Sequence, residues 1–168
     1  MTKSIQLNLQ HSDVEIETVR EKGRDFLKAH GFSEDTVQSQ MTILHQLISS
    51  VRKFDNLVAS KSDMTVLLLI EENAIIVEVS KPVNESSYRR LDELDKTIQS
   101  MRTWRYPEPF KPCAIDDTEP INSNSQDYKA EGYELAKIVY EKGAVLDFYV
   151  SEDKILNLSA VRNLDGGF

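Results

Sequence analysis

The residues able to do chemistry in this 168-residue chain are few and scattered. Its three histidines, His11, His30 and His45, fall on different segments and share no metal-ligand spacing. The single cysteine, Cys113, has no partner for an internal disulfide and cannot build a cysteine-based metal site, so it reads as structural. Asp116, Asp117 and Glu119 bring carboxylates together without the ligand pattern of an EF-hand, and a solvated acidic loop is the simpler reading. His45 lies within the longest amphipathic stretch of the chain. His45 alone could serve as a ligand, although a histidine on a helix flank is more often a surface residue or a satisfied core residue.

That stretch, Ser33 to Asp55, reads as one long amphipathic helix. Ser33 offers a side-chain oxygen for the N-cap, Phe32 and Val37 can close a hydrophobic staple, and Gly31 ends whatever precedes. Val37, Met41, Leu44, Leu47, Ile48 and Val51 predict one buried stripe, with Gln38, Gln40, His45, Arg52 and Lys53 outside it. Before it, Ser4 to Gln10 alternates in a strand pattern. Ser12 and Glu15 form a capping box for a helix carrying Ile16, Val19, Phe26 and Leu27, which tolerates Gly23 and stops at Gly31. After the long helix, Met64 to Ile70 and Ala74 to Val79 are β-favouring runs joined by Glu71-Glu72-Asn73, a hairpin near the sheet centre.

Pro82 breaks that pattern, and Ser86 or Ser87 can cap a helix whose seam is Leu91, Leu94, Ile98 and Met101. From Tyr106 to Asp127, prolines and acids make a long irregular connection of a kind that is often functional. A last helix through Leu135 and Tyr140 ends at Gly143, and Val145 to Val150 and Ile155 to Val161 close the chain as a hairpin. The tail 163–168 is expected to be loose. This order predicts a single α+β domain over residues 1–168: a two-layer sandwich with a mixed, mainly antiparallel five-stranded sheet and helices packed on one face.

Hydrophobic content of 40% and charged content of 29% are those of an ordinary soluble domain. The net charge of −8 argues against broad affinity for nucleic acid, which needs clustered lysine and arginine. No apolar run approaches the ~20 residues of a spanning helix, and the start lacks a signal peptide's apolar centre. A cytoplasmic protein with protein or small-molecule partners, no nucleic acid and no membrane, is expected.

Residues 4 to 162, taken in order, resemble the ATP-binding domain shared by Hsp90, gyrase, histidine kinases and MutL, the GHKL type, in the small form of bacterial anti-sigma-factor serine kinases. The resemblance rests on the strand before the Val19-Arg20 helix, the long helix, the central hairpin, and Gly132-Tyr133-Glu134-Leu135-Ala136-Lys137-Ile138-Val139, which looks like a worn Gly-Leu-Gly-Leu turn and helix. It implies a histidine-kinase-like ATPase fold. In that family the long helix carries a Glu that activates water or a hydroxyl and, four residues on, an Asn that holds magnesium. Matching the stripes puts these roles at Gln46 and Ser50, or at His45 and Ser49. Glutamine cannot act as a carboxylate base, and a serine hydroxyl is a poor substitute for the amide oxygen. The family's Asp-x-Gly-x-Gly corresponds to Val79-Ser80-Lys81-Pro82-Val83-Asn84, which has neither acid nor glycine. No glycine occurs between Phe32 and Glu131, which removes the lid and its phosphate-cradling amides. His45, Gln46, Ser49, Ser50, Ser80 and Gly132 would line a vestigial nucleotide pocket, with no catalytic residue, no metal and no cofactor.

The resemblance therefore implies a pseudokinase: a non-catalytic regulatory binding module in bacterial signalling that acts by protein–protein interaction. Its expected partners are sigma factors or small STAS-type antagonists. The docking surface is expected between Ser86 and Phe110, with Tyr88, Arg89, Trp104, Tyr106 and Phe110 supplying residue types enriched at interfaces. The same seam could join a homodimer. Two alternatives stay open: a divergent ATP-binding serine or histidine kinase using Gln46, Ser50 and Ser80, and a small-molecule sensor using the emptied cleft.

Overall fold

A computed structural model describes residues 2–10, 12–55, 63–83, 135 and 140–164. In chain order they form β1 (Lys3–Leu9), α1 (Asp13–Ala29), α2 (Glu34–Asp55), β2 (Met64–Ile70), β3 (Ala74–Pro82), β4 (Val145–Val150) and β5 (Ile155–Asn163). The helix expected around Leu91 to Met101, the connection 106–127 and the end of the tail lie outside the described residues. Of the last expected helix, Leu135, Tyr140 and Glu141 are described as helical. Gly143, at φ +69°, follows it and donates to the Tyr140 carbonyl over 2.8 Å.

The local chemistry of the two helix starts differs in one respect from the sequence pattern. Ser12 caps α1, its hydroxyl accepting from Glu15 N–H at 3.3 Å, but the reciprocal half of the capping box is not made. Ser12 N–H already donates to the Gln10 carbonyl at 2.9 Å, which leaves nothing for Glu15 to accept. Ser33 caps α2 by accepting from Thr36 N–H at 3.3 Å. Between the helices Gly31 sits at φ +83°, the left-handed conformation that glycine adopts without a Cβ penalty. Across this corner Lys28 and Glu34 pair at 2.8 Å, and that hydrogen bond holds the Glu34 carboxyl below the usual carboxylate range.

The sheet runs β1-β2-β3-β5-β4, and each pairing is antiparallel, so the mainly antiparallel sheet is antiparallel throughout the described strands. β3 extends three residues past the expected end at Val79, through Pro82. Its pairing with β2 stops at Thr65↔Ser80, whereas that with β5 continues to Pro82↔Ile155. Pro82 thus has a strand neighbour on one side, where its missing N–H breaks no ladder bond on the other.

Both helices cover one face. A Cβ built on Gly23 of α1 would lie 3.2 Å from Met41 Cε of α2 and 3.4 Å from Leu68 Cδ1 of β2, so the glycine lets α1 approach both. Leu68 pairs with Val77, and Val77 with Ala160, which carries the helix-covered side across the sheet. Val37, Met41, Leu44, Leu47, Ile48 and Val51 are all buried in that core with Val66, Val79 and Leu158. Gln40, expected outside the stripe, is instead fully buried at 0% exposure. At 100° per residue it falls between Leu44 and Leu47, inside the arc that the apolar residues define.

Candidate functional site

α2 presents two distinct flanks. Met41 lies against Gly23, and Arg52 Nη1 donates to Asp13 Oδ1 at 2.7 Å, so this flank faces α1. Gln40, Ile43, Leu47 and Ser50 follow one another at three- and four-residue spacing along the other flank, and all four are buried. Two members of this buried row are polar. Neither amide atom of Gln40 has a hydrogen-bond partner, while Ser50 is 3% exposed.

The sequence-derived pocket residues separate on this frame. Ser50 points into the protein, and Gln46 and Ser49 are half-buried beside it. His45 is exposed. Ser80 lies on the opposite side of the sheet from α2, because Val79 and Lys81, its neighbours in the strand alternation, are buried on the helix side. There its hydroxyl donates to Asn157 Oδ1 at 2.9 Å, with Glu78 Oε1 at 3.3 Å. Ser80 and Ser50 therefore belong to different faces. Gly132, Tyr88, Arg89, Trp104, Tyr106 and Phe110 lie outside the described residues.

Lys81 is the polar side chain that the end of β3 directs toward the helices, and it is 3% exposed. Lysine is rarely buried to this degree, since removing an ammonium from water is costly unless the charge is compensated. The signal was present in the period-two run Val77, Val79, Lys81, once the strand is continued past Val79. Among the described residues no cluster of three or more His, Cys, Asp or Glu could hold a metal ion, and no helix is long and apolar enough to cross a membrane.

A second polar group occupies the face of the sheet away from α1 and α2. Glu78, Ser159 and Asp147 stand in one row across β3, β5 and β4, beside Ser80, Asn157 and Tyr149 in the next. Partial loss of hydration, with the charges of Glu78 and Asp147, raises the Tyr149 phenol above the usual tyrosine range. Because the folded-state pKa is the higher one, the associated stability is full below the ordinary tyrosine pKa and is lost as pH climbs through the raised value. Spectroscopic titration should find Tyr149 ionising late, and Glu78→Gln should bring its transition to lower pH. An unchanged transition in that variant would remove Glu78 as a cause.

No protein-family model matches the chain, and no curated protein does. Among solved structures, a chain of the SiaB–SiaC complex from Pseudomonas aeruginosa matches with a TM-score of 0.65 at 16% identity, over 94% of this chain and 88% of that one. At this identity the likeness is one of fold: an α+β domain whose five-stranded antiparallel sheet is covered by helices.

Proposed function

We propose that this chain is a non-catalytic regulatory module that acts in bacterial signalling by binding another protein. The observation that carries the reading is the chemistry of α2. The face that a GHKL-type domain would turn to its nucleotide offers the amide of Gln46 and the buried hydroxyl of Ser50 in place of a carboxylate and a magnesium-binding amide. A fold shared with a component of a protein–protein complex supports binding as the retained activity. On this reading the domain is a degenerate, cytoplasmic relative of the anti-sigma-factor kinases, and its partner is a sigma factor or a STAS-type antagonist.

The second reading is a divergent kinase that binds ATP through unusual residues. Capture of the partner from the native host, followed by incubation with magnesium and labelled ATP, separates the two. The proposal expects the partner to be recovered without incorporated phosphate. Transfer of phosphate to the partner or to this chain would overturn it in favour of the kinase.

A further inference from the structure

The side of the sheet away from α1 and α2 is organised in rows that cross the strands. Leu69 pairs with Ile76, Ile76 with Val161, and Val161 with Val145, which lines up four apolar side chains from four strands. At 4.7–4.9 Å between strands this row is about 14 Å long. Leu67 flanks it in the next row, alongside Glu78. Leu69, Ile76 and Val161 are half-buried, while Val145 and Tyr149, on the edge strand β4, remain 45% and 49% exposed.

Among the described strand residues, the charge directed to this face has one sign. The cations of the five strands are Lys3, Lys81 and Arg162, and each alternates to the helix-covered side, opposite Ile70, Leu156 and Ile75. The charged residues that project the other way are Glu78 and Asp147. An apolar strip bordered by carboxylate, with no strand cation beside it, complements a surface that is apolar and basic. The face is a better platform than the β4 edge, because Phe148 N–H on that edge strand already donates to Asp147 Oδ1 at 2.8 Å.

We propose that this face docks a basic amphipathic helix of a protein partner, its apolar stripe on Leu69, Ile76, Val161 and Val145 and its lysine or arginine side chains over Glu78. Three helical turns span about 16 Å and match the strip. The proposal deepens the protein-binding reading and rests on it, giving that reading a surface and a partner chemistry.

The test titrates the full chain with a synthetic helical peptide carrying leucine on one face and lysine on the other, and follows backbone amide resonances. The expected result is perturbation centred on Ile76, Glu78, Val145 and Val161, absent with a peptide in which glutamate replaces lysine. Glu78→Lys should weaken binding at least tenfold and Glu78→Gln by less, whereas Glu21→Lys, an equal charge change on α1, should leave it unaltered. Perturbation elsewhere, equal weakening by Glu21→Lys, or a face already covered by a second copy in sedimentation would overturn the proposal. The phosphate-transfer experiment tests the underlying reading separately, so failure of the face does not count as failure of the binding module.

Discussion

Leu44→Ala should lower the unfolding free energy by about 3–4 kcal/mol in urea titrations, the largest loss expected from a single truncation in α2. Leu44 is 0% exposed and sits at the centre of the arc that packs α2 onto the sheet. Removing its branched end forfeits the transfer energy of the lost carbons and leaves a cavity that flanking Met41, Leu47 and Ile48, themselves buried, can only partly fill. His45→Ala, one residue on but exposed, should change stability by less than ~0.5 kcal/mol. Comparable losses at both positions would mean that α2 does not present this face to the core.

Gln40→Met should act in the opposite direction and raise stability by about 1–2 kcal/mol. The Gln40 side chain is buried with both amide atoms lacking hydrogen-bond partners, a cost of about 1–3 kcal/mol for a buried polar group left unsatisfied. Methionine keeps the unbranched shape and the volume while removing that cost, so the gain comes from desolvation rather than from new packing. A loss of more than 1 kcal/mol in the same urea titration would show that the amide is satisfied in solution, by water or by another group. A stabilised variant would mark Gln40 as a residue retained at the expense of stability, as groups kept for function often are.

Most of the fold could be read from periodicity. The alternation of β1 and the stripe of α2 each impose one spacing over seven or more residues, the β-favouring runs on either side of Glu71-Glu72-Asn73 mark the β2–β3 hairpin, and the structure follows them. Misreadings arose where a local rule met a tertiary condition. Pro82 looked like a strand breaker, yet β3 outruns β2 there and leaves the missing N–H without a ladder to interrupt. Gln40 looked like a surface residue because polarity outweighed its angular position on the helix. Glu15 looked like half of a capping box because the sequence does not reveal that Ser12 N–H is taken by Gln10.

The site was less legible than the fold for a related reason. Pattern matching ranks residues by position along the chain, but a pocket is defined by which side of a sheet or helix each one occupies. His45 and Ser80 are near Ser50 in the motif sense, whereas one is exposed and the other lies across the sheet. Lys81 was hidden behind the early strand end assigned at Val79. The row of Leu69, Ile76, Val161 and Val145 could not be seen at all before the register was known, because its members come from four strands and two distant hairpins.

Thermal unfolding of the intact chain with and without magnesium and millimolar ATP or ADP tests the proposed loss of a nucleotide site most directly. A ligand present at 100 times its dissociation constant would stabilise the folded state by about 2.7 kcal/mol, well above the resolution of a melting curve. An unchanged melting temperature is the predicted result. A clear upward shift would contradict that loss and make this chain a nucleotide-binding protein that reads ATP through residues other than those of the GHKL-type domains it resembles.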